Sequence, residues 1–166
     1  MRLERAEFAA NYSWSFLVGE PVIHAPRAAM RTLSNMAPAL RKLDTMSLSE
    51  STPHDAAVGA LGLIVVAVRK RQDVFPEMIT LGRTANNDVV IPDATISKFH
   101  AYFRVTAGGY EVVDVGSRNG TRVMGRVLVA KQPAEVTIGT RLRFGSIDLV
   151  LRDAGDTWDS IRKRER

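Results

Sequence analysis

Five polar islands in the second half of the chain hold the residue types that chemistry needs: Gly82-Arg83, Asn87-Asp88, Ser97-Lys98-Phe99-His100, Asp114, and Ser117-Arg118-Asn119-Gly120-Thr121. The chemistry they suit is the holding of an anion. A doubly charged phosphate wants donors from several directions, and a guanidinium supplies two parallel charge-assisted hydrogen bonds from one planar fork. Arg83 fits that part, and Gly82 before it lets the chain turn closely. The Ser97 hydroxyl can donate to a phosphate oxygen, with Lys98 adding positive charge beside it. Asn119 can offer its carboxamide to the main chain of a bound peptide, a contact that ignores side-chain identity. Each residue also has a plainer reading. Arg83 is then a surface arginine after a strand-ending glycine and Ser97 a turn cap, while Asn119-Gly120 is a tight hairpin turn with both residues at positive φ.

Catalysis is the weaker use of the same residues. Ser97, His100 and Asp114 suggest a triad, but there is no nucleophile elbow around the serine and no phosphate-cradling G-x-x-x-x-G-K run. The three histidines, His24, His54 and His100, are scattered without metal-ligand spacing, and the absence of cysteine excludes disulfides and thiolate sites. The chain is therefore expected to be no enzyme and to need no cofactor and no metal. His100 falls in an alternating run, where it is expected to point into the scaffold and hydrogen-bond a neighbouring loop.

The elements that position the islands are strands. Leu63 to Val68 is dense in β-branched residues, and Met78 to Leu81 and Val89 to Ile91 are shorter runs of the same kind. From Phe99 to Val105 the pattern alternates, with Phe99, Ala101, Phe103 and Val105 on one face and His100, Tyr102 and Arg104 on the other. Gly108-Gly109 turns into Tyr110 to Val115. Further short runs follow at Arg122 to Met124, Val127 to Val129, Glu135 to Ile138, Arg141 to Phe144 and Ile147 to Leu151, punctuated by Gly125, Pro133, Gly139 and Gly145. Many short strands with no helical period between them predict an antiparallel sandwich over residues 58–153.

Residues 1–57 read differently. Ala29, Leu33, Met36, Ala37, Leu40 and Leu43 recur at helical steps within Ala28 to Leu43, with Pro38 ending or kinking that helix near Ala37. Residues 45–55 are rich in hydroxyl and acidic side chains and read as a linker. The expectation is an N-terminal extension of one or two short helices and a linker, either packed on the β domain or on a partner, or else a partly ordered arm. Residues 154–166 read as a basic tail, frayed or briefly helical.

Composition narrows the partners. With 166 residues and 45% apolar side chains, the chain can build one principal core. Of its net charge of +5, most sits in the β segment, where residues 57–153 hold thirteen basic and nine acidic side chains. A mildly basic module suits an anionic partner. Nucleic acid is argued against, because neither a recognition helix nor a stacking aromatic surface is evident and Arg162-Lys163-Arg164 reads as a solvated tail. The N-terminus does not read as a secretory signal, and the longest apolar stretch, Ala56 to Val68, is 13 residues against the roughly 20 a spanning helix needs. A cytoplasmic protein without a membrane span is expected.

Taken in order, Gly82-Arg83, Ser97-x-x-His100, and Asp114 with Ser117-x-Asn119-Gly120-Thr121 resemble the forkhead-associated (FHA) domain, a phosphothreonine-binding module, over roughly residues 61–152. The resemblance implies an eleven-stranded β-sandwich with its site in the loops at one end. By matching position, Arg83 and Ser97 would contact the phosphate with Lys98 nearby, and Asn119 would hold the peptide backbone. Ser117 and Arg118 would line the rim, while Gly82, His100 and Gly120 would shape the loops. The implied partner is a threonine-phosphorylated protein, either a Ser/Thr kinase or its substrate, and the implied role a non-enzymatic adaptor. The alternative is a scaffold domain of the same fold that binds without regard to phosphorylation. Two departures stand out: Lys98 replaces a usual arginine, keeping charge but losing the fork, and Met124 replaces a common asparagine. Thr45 and Thr52 in the linker are candidate phosphorylation sites whose products would bind the Arg83 site of the same or a neighbouring molecule. The paired-threonine motif of some bacterial relatives is not found.

Overall fold

A computed structural model describes residues 5–19, 56–58 and 63–163. The predicted helix Ala28 to Leu43, the linker, and Thr45 and Thr52 lie outside the described residues. The elements run α1 (Arg5–Asn11), β1 (Ser15–Gly19), β2 (Ala56–Val58), β3 (Ile64–Val68), β4 (Ile79–Gly82), β5 (Val89–Val90), β6 (Ala101–Thr106), β7 (Gly109–Asp114), β8 (Thr121–Val123), β9 (Arg126–Val127), β10 (Pro133–Val136), β11 (Arg141–Phe144), β12 (Ile147–Arg152) and α2 (Ala154–Arg162).

These strands form the expected mainly β sandwich. One sheet has seven strands in the order β2-β3-β1-β12-β11-β8-β9, and the other has five in the order β10-β7-β6-β4-β5. The twelve described strands exceed the eleven expected. All pairs are antiparallel except β4 and β5, which run parallel with Leu81 opposite Val89.

Alternation decides what each strand buries. On β12, Ile147, Leu149 and Leu151 point inward, and on β11 Leu142 and Phe144 do the same. They meet Leu81, Ala101, Phe103 and Val112 from the five-stranded sheet in one continuous core. Burying an aliphatic or aromatic side chain of this size contributes roughly 1.5–3 kcal/mol. Of the four residues that the alternation puts on one face, Ala101 and Phe103 are buried but two are not: Val105 is 71% exposed, and Phe99 precedes the strand and stacks on Phe75. Sheet pairing begins only at Ala101, so the alternation of the sequence runs past both ends of the buried surface.

The N-terminal segment is built into the sandwich. β1 lies between β3 and β12, with Leu17 opposite both Val66 and Leu151 and fully buried. Outside this strand, α1 and α2 cover the sheet. Phe8 packs against Tyr12, Phe16 and Trp158 at ring-centroid separations of 4.6, 6.1 and 5.4 Å. Asp153 caps α2 by accepting from Asp156 N, and Arg5 pairs with Asp159 at 3.0 Å.

Candidate functional site

The loops β4–β5, β5–β6 and β7–β8 are tied together at one end of the sandwich. Arg83 N donates to Ser97 O at 3.0 Å, and Arg118 N donates to Ser97 Oγ at 3.1 Å. Ser97 thus stands between the two other loops, and because its hydroxyl oxygen is the acceptor in the second bond, its own proton remains available to a ligand. The side chains of Arg83, Lys98 and Arg118 are exposed, and none has a hydrogen-bond or ion-pair partner among the described residues.

Close approach sets the Lys98 backbone. Lys98 O accepts from Asn87 Nδ2 at 2.7 Å and from Thr84 Oγ1 at 3.0 Å. A Cβ placed on Gly82 would stand 2.2 Å from the same carbonyl, so only glycine lets β4 pass there. Asn87 is 3% exposed and also bonds Thr84 O, so it serves as a strut between the first two loops.

His100 is fully buried and fixes both of its neighbours. Ser97 N donates to Nδ1 at 3.1 Å, which leaves Nε2–H to donate to Gly120 O at 3.2 Å. Burial pushes the imidazole below its ordinary value of 6.5, against the opposing pull of the Gly120 carbonyl and Asp114. The ring is held neutral. It accepts from the serine's backbone rather than its hydroxyl, and the nearest Asp114 oxygen is 3.8 Å from Nε2. The three residues are therefore close but not wired as a nucleophilic triad.

Asp114 organises the β7–β8 loop. It accepts from Gly116 N, Ser117 N, Ser117 Oγ and Thr121 Oγ1 at 2.6–2.8 Å. Burial raises its carboxyl, but the hydrogen bonds from Thr121, Ser117 and Gly116 together outweigh that and leave it below the usual value. Asp88 does the same beneath the β4–β5 loop. Burial raises it, and bonds from Lys70, Thr80, Arg71 and Gln72 bring it below its ordinary value.

The Asn119-Gly120 turn differs from the hairpin reading. Only Gly120 has positive φ, at 74°, and the segment joins β7 of one sheet to β8 of the other. Asn119 instead spends one amide N–H on Thr95 O at 2.7 Å, leaving Oδ1 and the second N–H free. The hairpin with two positive φ values is at Met124 and Gly125, at 49° and 82°, between β8 and β9.

Thr95 was assigned no part by sequence. Its carbonyl holds Asn119, and its hydroxyl accepts from Ser146 N in the β11–β12 turn. Thr95 N also donates to Asp93 Oδ1, so the readable signal was the Asp93-x-Thr95 spacing of an Asx turn.

Among the described residues no group of His, Asp or Glu is arranged to hold a metal. Comparison with known proteins matches residues 79–145 to the FHA domain family model. An oxoglutarate dehydrogenase inhibitor of Corynebacterium glutamicum is 52% identical over 74 residues, covering 43% of this chain and 48% of that protein. A second protein of that name, from Corynebacterium jeikeium, is 29% identical over 132 residues, covering 75% of this chain and 90% of its own length. This chain thus spans about half the length of the Corynebacterium glutamicum relative. Mycobacterium tuberculosis EmbR in complex with a low-affinity phosphopeptide is similar in structure, with a TM-score of 0.46 and 21% identity, covering 76% of this chain and 31% of that one.

Proposed function

We propose, from the premise that this chain carries an FHA domain, that it is a phosphothreonine-peptide recognition module acting as a non-enzymatic adaptor in Ser/Thr-kinase signalling. One observation carries the reading. Ser97 offers a free hydroxyl proton from a loop clamped on both sides, and the unpartnered cations Arg83 and Lys98 flank it. In this reading Arg83 and Ser97 hold the phosphate, Lys98 adds charge, and the free amide atoms of Asn119 take the peptide backbone. Ser117 and Arg118 line the rim, while Gly82, His100 and Gly120 shape the loops. The partner is a protein phosphorylated on threonine, met in the cytoplasm, and the buried neutral His100 serves geometry rather than proton transfer.

Calorimetric titration of a phosphothreonine peptide library and its unphosphorylated counterparts tests this. Wild type should bind only phosphorylated forms. Charge-assisted hydrogen bonds contribute about 1.5–3 kcal/mol each, so Arg83→Ala should weaken binding about tenfold to a hundredfold. Equal affinity for both forms would instead make the fold a phosphorylation-independent scaffold.

A further inference from the structure

The outer face of the seven-stranded sheet divides in two. Helices α1 and α2 cover its β1 side, while over β11 and β8 it is open and basic. Alternation sends Leu142, Phe144 and Thr121 into the core and turns Arg141, Arg143 and Arg122 outward. The register sets Arg143 directly opposite Arg122 on one side and opposite Asp148 on the other. Like charges facing each other across neighbouring strands oppose pairing. The face supplies one carboxylate for three guanidiniums: Arg143 Nε lies 3.7 Å from Asp148 Oδ1, and Arg122 and Arg141 have no acidic partner among the described residues. Val127, 63% exposed, sits opposite Arg122 at the sheet edge.

This row adjoins the phosphate loops. Arg122 is two residues beyond Gly120, the residue tied to His100, or about 7 Å along an extended chain. We propose that Arg122, Arg143 and Arg141 form a second docking surface for an acidic segment of the same phosphorylated partner, a proposal that rests on the phosphothreonine reading. Guanidinium forks match carboxylates bidentately, and an extended acidic segment can lie along an open strand face. Nucleic acid fits less well, because the row has neither a groove-reading helix nor stacking rings. Once the phosphothreonine is seated, the acidic contact becomes intramolecular, and even weak exposed ion pairs then add affinity.

The test uses a short phosphothreonine peptide with neutral flanks, the same peptide carrying a glutamate run on either side, and an unphosphorylated glutamate version. Exposed ion pairs are individually weak, so the glutamate run should tighten wild-type binding about three- to tenfold at low salt. High salt should erase the gain. Arg122→Glu/Arg143→Glu should abolish the gain and leave the short peptide's Kd unchanged, with Arg122→Gln/Arg143→Gln as the milder variant and thermal melting to confirm folding. No gain in wild type, or an equal gain in the variants, overturns the proposal. Failure of the short peptide to bind wild type would instead refute the phosphothreonine reading. The row is then judged by amide NMR with the unphosphorylated glutamate peptide: shifts at Arg122, Arg141 and Arg143 support it, and their absence overturns it. A short DNA duplex that binds wild type and is lost in the variants, with no glutamate effect, overturns it in favour of nucleic acid.

Discussion

Ser97 is positioned almost entirely by atoms outside its own side chain. Its carbonyl is bound by Arg83 N, its amide by His100 and its hydroxyl oxygen by Arg118 N, so the site depends on whatever lets these loops approach. Gly82 is the tightest of these points. A methyl there would meet Lys98 O at 2.2 Å and Asn87 Nδ2 at 2.6 Å, and a backbone carbonyl held by two hydrogen bonds cannot yield as a flexible side chain would. Gly82→Ala should therefore displace the Lys98 segment. Overpacking of this kind costs about 1–3 kcal/mol, which should appear as a lower Tm, together with loss of phosphopeptide binding. A variant with wild-type Tm and Kd would show that the β4–β5 and β5–β6 loops are not locked in this way. His100→Ala is the second residue-scale prediction. It would strip Ser97 N and Gly120 O of their partner and open a cavity at a fully buried position, lowering stability by about 3–5 kcal/mol in urea unfolding.

Among the elements, β1 has the largest consequence. It is a central strand, hydrogen-bonded on both sides, and residues 20–55 separate it from the next strand. A chain beginning at residue 58 would leave β3 and β12 without the strand between them, exposing Leu151 and Val66. Such a chain should show no cooperative thermal transition by circular dichroism, and Leu17→Ala in the full chain should cost about 2–5 kcal/mol. A truncated chain that melts cooperatively would show that the sandwich closes without β1. This strand was also the least legible part of the fold. Phe16, Leu17 and Val18 are all buried because helices cover the outer face, so the two-residue alternation that reveals β11 and β12 is missing. The β4, β6 and β7 strands were readable, since one face of each run is plainly apolar. The residues proposed for the site stood out through type and order, with Arg83, Ser97 and Asn119 each beside a turn signal. Asn119-Gly120 misled because the asparagine amide is committed to Thr95 across the site, a partner that no local pattern reveals.

For the whole molecule, the buried ionisable groups make stability one-sided in pH. His100 has its folded value below the ordinary 6.5, so between the two values the unfolded chain binds more protons than the folded one. Stability therefore falls as pH drops from about 6.5, and that loss levels off once the folded imidazole also titrates. Asp88 and Asp114 have folded values below the ordinary 3.8, so their contribution is present above that value and disappears as pH falls through the folded values. The three contributions share one sign, and together they predict a Tm that is level near neutrality, declines first below about pH 6.5, and declines again below about pH 4. His100→Asn, which keeps a donor and an acceptor without a titrating ring, should remove the first decline and keep the second. If that variant loses as much Tm between pH 7 and pH 5 as the wild type does, the first decline belongs to another group. Phosphothreonine itself protonates near pH 6, so the peptide's affinity should weaken as pH falls through that value. The His100→Asn protein should show the same rise in Kd with falling pH, because that rise belongs to the ligand; a flatter profile in the variant would show that the histidine contributes to it.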